Sequence, residues 1–287
     1  MNHGLAIRDS ASVDFVWLGT LVHRLDSGIV PFRKAHECQI HVSGGEFNVA
    51  ANLSDCSVCG PALLPQWSSI LIGDLVAERV RAMGVTPCYK MFQHNGATGP
   101  NIASVSSDRT YGARVFCNRA NEVAAQLNSG DTDWNAIFAP GVRWFHSGGI
   151  FGALSDTTPE LIIEGMQAAR NAGAVVSFDL NFREKLWNLS GGQKRARQVI
   201  GRILEKRRRS RRPRTGSAKG VWNCRPGGSC DIKTRPARFP AMIDRVLERY
   251  PHIKIIATTL REVHSTNRHG WGAVAWINAQ TCMSPLV

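Results

Sequence analysis

Long apolar runs are missing from this 287-residue chain. None approaches the roughly 18 consecutive apolar residues that span a bilayer, which removes a membrane from the expected partners. The first ten residues, Met-Asn-His-Gly-Leu-Ala-Ile-Arg-Asp-Ser, also lack the charged start and apolar centre of a secretory signal, and the expected location is the cytoplasm. A disulfide rhythm is absent too. Eight cysteines lie at 38, 56, 59, 88, 117, 224, 230 and 282, and without an export signal nothing favours their oxidation. Cys56 and Cys59 form a single Cys-x-x-Cys with no second pair and no Cys or His partner at zinc spacing, so no metal site is assigned. No Gly-x-x-x-x-Gly-Lys-Ser/Thr loop is present, which excludes that kind of phosphate site.

Acidic residues are scarce: 22 Asp and Glu face 35 Lys and Arg, for a formal net charge of +13. Such an excess suggests nucleic acid until its position is read. Eleven basic residues from Lys194 to Arg214, opposed only by Glu205, carry ten of those charges, and the rest of the chain is near balance. Runs of this kind bind phosphate backbones without sequence preference. No aromatic residue interleaves Lys206 to Arg214 and no groove-reading motif surrounds them, so nucleic acid binding is the weakest of the functional readings.

What is present is an alternation of strands and helices, clearest between residues 143 and 187. Leu161 to Arg170 has helical spacing behind a polar, Pro-marked start at Asp156 to Pro159, and Asn171-Ala-Gly173 ends it. Ala174-Val-Val-Ser-Phe178 is a short apolar run suited to a strand buried on both faces. Asp179, Asn181 and Arg183 then fall at the carboxyl end of that strand, where open α/β sheets bind ligands. From the pattern alone, binding a ligand and capping a loop are both open for these three. Further strands are expected over residues 14–19, 38–42, 101–106, 112–117, 253–258 and 271–277. Helices are expected over residues 45–53, 73–83 with Gly84 as stop, 120–127, 134–138, 191–204 and 241–250. This order predicts an α/β fold with a mainly parallel sheet and helices on both faces.

Two segments carry a resemblance. Phe178-Asp-Leu-Asn-Phe-Arg-Glu-Lys-Leu-Trp187 resembles the PfkB-type carbohydrate kinases typified by ribokinase, and within them the 2-keto-3-deoxygluconate kinases. Gly44-Gly-Glu-Phe-Asn48-Val-Ala-Ala-Asn-Leu53 is similar to that family's Gly-Gly-x-x-x-Asn-x-Ala signature. Paired glycines let a backbone come close to a ligand, Asn48 can donate to and accept from hydroxyls, and Ala50 and Ala51 let the helix pack tightly. The resemblance implies a ribokinase-like fold with a small β lid and the phosphorylation of a sugar hydroxyl with ATP and Mg. It also implies a substrate cradle of Gly44, Gly45, Asn48, Arg119 and Arg183. Arg119 and Arg183 match two arginines that meet the acid substrate, and guanidinium forks suit a carboxylate. The expected partner is therefore a small sugar acid, with a homo-oligomer left open. Cys117 stands where such kinases usually present an aromatic.

The resemblance covers most of residues 14–285 outside two windows. Residues 56–70 break a helix that such kinases continue. Residues 205–239 are rich in Arg, Pro, Gly and Ser without periodicity, after which Met242-Ile-Asp-Arg-Val-Leu-Glu-Arg-Tyr again resembles the family. A single incomplete kinase domain over residues 1–287 is expected, with 205–239 as a disordered Arg-rich insert or an out-of-frame segment; residues 207–228 have too little apolar surface to offset their ordering entropy. No Asn-x-x-Glu motif can be placed after residue 204, and the family's Gly-Ala-Gly-Asp motif, which carries the catalytic base, is not found before Val287. The expectation is a domain truncated at its carboxy terminus, with no catalytic residue assigned. Its function is read as that of a sugar-acid kinase by resemblance, inactive as it stands, or of a non-catalytic sugar-acid-binding remnant.

Overall fold

The computed structural model describes residues 4–56, 62–68, 71–92, 103–108, 114–119, 122–205, 239–265 and 268–285. The segment 207–228, expected to be disordered, lies outside them. The chain divides into two compact units, Ile7–Ile200 and the pair Met1–Ala6 with Gly201–Val287.

The elements run β1 (Val13–Leu18), β2 (Val22–Asp26), β3 (Gln39–Ser43), α1 (Gly45–Cys56), β4 (Ala62–Ser68), α2 (Leu71–Ala82) and β5 (Thr86–Phe92). They continue with β6 (Ala103–Asp108), β7 (Arg114–Asn118), α3 (Trp134–Phe138), β8 (Val142–Gly148), α4 (Thr158–Asn171), β9 (Val175–Asp179), α5 (Glu184–Leu189) and α6 (Gly192–Leu204). The last are α7 (Phe239–Arg249), β10 (Ile255–Val263), β11 (His269–Ile277) and β12 (Gln280–Met283).

The larger unit holds a five-stranded sheet in the order β5-β4-β1-β8-β9, with every pair parallel. β1 is buried on both faces, as a central parallel strand must be. Phe15 and Trp17 meet Phe47, Ala50 and Ala51 of α1 and Val76, Ala77 and Val80 of α2 on one side. Toward α4 the core is aromatic: Trp134 and Phe138 stand edge-on to Phe145 of β8. A second sheet, β3-β2-β6-β7, supplies the small β layer. Its β6–β7 hairpin is the paired-strand region read from residues 101–117.

Three elements differ from expectation. The helix start ends at Cys56, and the window that breaks the pattern contains β4, parallel to both β1 and β5. Pro65 sits inside that strand at a shift in register between Leu64 and Gln66, since a residue without an N–H cannot continue a ladder. The helix expected over residues 120–127 is a 3₁₀ turn, Val123–Gln126, preceded by extended Glu122. The strands expected near the carboxyl terminus do not extend a parallel sheet. β10, β11 and β12 form an antiparallel meander, against which α7 packs Phe239 and Ile243 on Leu260 and Val274.

Gly165 marks how tightly α4 meets the sheet. A Cβ there would stand 2.7 Å from Trp134 and 2.9 Å from Phe145. Gly165→Ala gains up to about 1 kcal/mol of helix propensity, but overpacking two buried rings costs about 1–3 kcal/mol. The expected outcome is net destabilisation, read as a lower midpoint in urea denaturation.

Candidate functional site

The carboxyl ends of β1, β8 and β9 come together, and the first turn of α1 lies across them. Glycine permits this. A Cβ on Gly19 would collide with the Glu46 carboxylate, and one on Gly148 would stand 2.5 Å from Glu46 Oε1. The Glu46 side chain is therefore enclosed between two α-carbons. At Gly44 the close neighbour is the Thr20 carbonyl, so that glycine admits protein backbone. Gly45 looks toward Asn181, whose Nδ2 is 3.8 Å from where a Cβ would stand. Gly149 allows the β8 end to lie against the carbonyl of Leu180 and donates to the Asp179 carbonyl at 2.7 Å.

Glu46 is the residue that sequence reasoning missed. It is fully buried, it accepts from backbone N–H groups at Glu46 and Thr20, and its Oε2 has no hydrogen-bond partner. Burial pushes its carboxyl up to about 7; the charge of Asp179 adds to this, while the backbone bonds and Arg119 oppose it. The available signal was its place in the first turn of α1 between glycines and Phe47, where a carboxylate is favoured by the helix dipole.

The sequence-derived residues fall as follows. Asn48 is exposed, and its Oδ1 reaches only weakly back to Gly44 N at 3.4 Å. Arg119 is gripped by buried Glu122, with Nη1 2.9 Å from Oε1 and 2.8 Å from Oε2. Glu122 also accepts from Thr20 Oγ1, just beyond β1. This fixes one edge of the guanidinium. Asp179 is exposed and accepts from Asn181 N at 3.1 Å, so part of its role is to shape the loop. Arg183 stands at the start of α5, exposed, and its guanidinium makes no hydrogen bond to the described residues. Gly45, Asn181, Glu46, Arg119 and Asp179 are thus brought into one neighbourhood. Asn48 and Arg183 lie on its flanking segments, and neither makes a hydrogen bond to Arg119.

Beneath lies a partly buried polar triad. Trp144 Nε1 donates to Ser177 Oγ at 2.7 Å, and Ser177 Oγ is 2.8 Å from His146 Nδ1. Ser177 Oγ accepts from the indole and can either donate to Nδ1 or accept from it, so the contact does not fix the imidazole tautomer. The other ring nitrogen, Nε2, is buried without a partner. Burial lowers the His146 pKa, with Asp179 acting the other way. Among the described residues no group of three or more His, Cys, Asp or Glu could hold a metal ion, so no step is assigned to Mg. Among them, too, no helix is long and apolar enough to cross a membrane.

The fold is ribokinase-like, and its structural neighbours are PfkB-family carbohydrate kinases. A 2-dehydro-3-deoxygluconokinase from Thermotoga maritima superposes with a TM-score of 0.75 at 21% identity, over 96% of this chain and 80% of that one. A PfkB family carbohydrate kinase from Listeria grayi gives 0.72 at 23% identity, with the same 96% and 80% coverage. A sugar kinase from Pyrococcus horikoshii solved with ATP gives 0.60 at 12% identity, over 94% and 76%. In sequence, a 2-dehydro-3-deoxygalactonokinase from Haloferax volcanii is 28% identical over 178 residues, which are 59% of this chain and 52% of that protein. The match spans about half the length of this curated relative. No family model matches the chain.

Glu46 also sets a stability prediction. Its carboxyl rises from an ordinary 4.5 to about 7 on folding, so the folded state holds a proton that the unfolded state releases between those values. Stability from this group is full below about 4.5 and falls as pH rises through 7. Glu46→Gln removes the penalty and is expected to be more stable than the parent at pH 8, by at most about 3 kcal/mol. At pH 4 the difference should vanish. Urea titrations at the two pH values check it.

Proposed function

We propose that this chain carries the acceptor-sugar part of a carbohydrate kinase site and that its ligand is a sugar acid of the 2-keto-3-deoxy type. One observation carries the reading. The first turn of α1, Arg119 and the Asp179–Asn181 loop, far apart in sequence, meet at the carboxyl ends of three parallel strands, which is where α/β folds take ligands. The names of the Haloferax and Thermotoga proteins, both 2-dehydro-3-deoxy sugar acid kinases, support the substrate class.

The residues divide the work by chemistry. Arg119, oriented by Glu122 through Nη1, makes no hydrogen bond to the described residues through Nη2 or Nε, and these are offered to a carboxylate. Arg183 supplies a second, exposed guanidinium at the other side of the loop. Gly44, Gly45 and Asn48 line the amino end of α1, with Asn48 offering an amide to sugar hydroxyls. In the full reaction the sugar hydroxyl oxygen attacks the terminal phosphorus of ATP, ADP leaves, and the hydroxyl proton passes to a base. ATP enters as the phosphoryl donor of the kinases that the fold matches; no residue here is assigned to it.

The two arginines are distinguished by their partners. Arg183→Ala should leave the urea midpoint unchanged within about 0.5 kcal/mol and weaken 2-keto-3-deoxygluconate binding about tenfold to a hundredfold. Arg119→Ala should weaken binding by a similar factor and also destabilise the fold by roughly 1–3 kcal/mol, because buried Glu122 loses its cation. Calorimetry with the sugar acid checks both, and unchanged affinity in both variants would remove the sugar-acid reading.

The reading also bears on turnover. No base is assigned within these 287 residues, and the polypeptide on its own is expected to bind the sugar acid without phosphorylating it. A coupled ATP assay that showed turnover in the range of about 1–100 per second found for kinases would overturn that expectation.

A further inference from the structure

Resting on the sugar-acid reading, we propose that Glu46 is the proton-carrying residue of this site: it must be neutral for the anionic ligand to bind, and it takes up a proton as the ligand arrives. The argument starts from charge and enclosure. Glu46 reaches into the junction of β1, β8 and β9 from the first turn of α1, closed in by the α-carbons of Gly19 and Gly148. It has no room to turn toward solvent, and Oε2 finds no donor there. A carboxylate held in that way has two backbone donors but an oxygen left without one, and burying the incompletely partnered charge costs more than burying the neutral carboxyl.

The surroundings decide which form an anion prefers. The charged groups that act on Glu46 are Asp179 and Arg119; Arg119 is itself held by Glu122, and Asp179 also acts on His146. Arg119 is already paired with Glu122, so its cation is half claimed before any ligand arrives. Asp179 adds a negative charge. If Glu46 is also ionised, Arg119 answers both Glu122 and Glu46, with the charge of Asp179 acting on Glu46 as well, and the carboxylate of a sugar acid adds a further negative charge. With Glu46 protonated, the free edge of Arg119 is left for the ligand. Burial holds the Glu46 carboxyl at about 7, so both forms are populated near neutral pH. A nearby ligand carboxylate raises it further, which is the same statement as proton uptake on binding.

The sign follows. Affinity is greatest below the pKa of the free protein, near 7, and falls as pH rises through the interval between free and bound values, by at most about tenfold per pH unit for one proton. An ordinary ligand carboxyl titrates below about 5, and His146 has its pKa lowered below the usual 6.5. The window from pH 6.5 to 8.5 therefore lies above both of these groups, and Glu46→Gln separates Glu46 from any other group that titrates within it.

The test is calorimetry of the 287-residue chain with 2-keto-3-deoxygluconate at pH 6.5, 7.5 and 8.5, each in two buffers of different ionisation enthalpy. The parent chain should take up part of a proton at pH 7.5 and lose about fivefold to twenty-five-fold in affinity between pH 6.5 and 8.5. Glu46→Gln, neutral at every pH and of the same shape, should bind with no uptake and a flat profile. Absence of uptake by the parent overturns the proposal without any variant. So does a Gln variant that keeps the parent's pH dependence. Binding at no pH would instead sink the sugar-acid reading itself, and this proposal with it.

Discussion

The close approach of α1 to the ends of β1 and β8 is the constraint on which the rest of this region is built. A helix can begin across the carboxyl ends of parallel strands only if backbone and side chain are allowed into space that a Cβ normally occupies. Gly19, Gly44 and Gly148 each give up that space, to the Glu46 carboxyl on two sides and to the Thr20 carbonyl on the third. None of the three is held at a positive φ, so what they contribute is the absence of a side chain and not an unusual backbone. From that contact, Phe47, Ala50 and Ala51 are carried onto Phe15 and Trp17, which ties the site to the hydrophobic core through one turn of helix.

The same contact determines the electrostatics. A carboxyl buried at the start of a helix gains from the dipole and from two backbone donors, but these gains do not outweigh the loss of water. The net effect is a group poised near neutrality in the middle of the region where Arg119 and Asp179 act. Glu122 shows the contrasting solution. It is equally buried, yet it receives Arg119 and Thr20 Oγ1. Two buried acids a short distance apart thus have opposite circumstances, one fully partnered and one with an oxygen left over.

Much of the parallel sheet was legible because its signals are local. The run Val175–Asp179 is apolar between a glycine stop and a polar loop, and α4 has period and cap, so their pairing with β8 followed. β4 and β5 were not legible, since Pro65 and Pro87 speak against strands; one is accommodated at a register shift and the other on an edge strand. β12 was missed because its turn is Asn278-Ala279, with both residues at positive φ, where Asn-Gly would have announced a hairpin. At the site, Arg119 and Arg183 were named from a family resemblance, which needs only the neighbouring sequence. Glu46 was passed over because its character comes from Gly19 and Gly148, about 27 and 102 residues away along the chain, and no local pattern encodes that enclosure.

The unequal standing of the two arginines bears on specificity. Arg119 is oriented and partly neutralised by Glu122, so it offers direction more than net charge. Arg183 is exposed and makes no hydrogen bond to the described residues, so it offers charge at the cost of ordering a long side chain. A neutral sugar would gain little from either. On the sugar-acid reading an acid gains geometry from the first and attraction from the second, while the enclosed carboxyl of Glu46 beside Arg119 adds no competing negative charge as long as it is protonated. On the proposed reading, discrimination between acidic and neutral sugars is therefore a property of the whole charge set around α1, and no single arginine accounts for it.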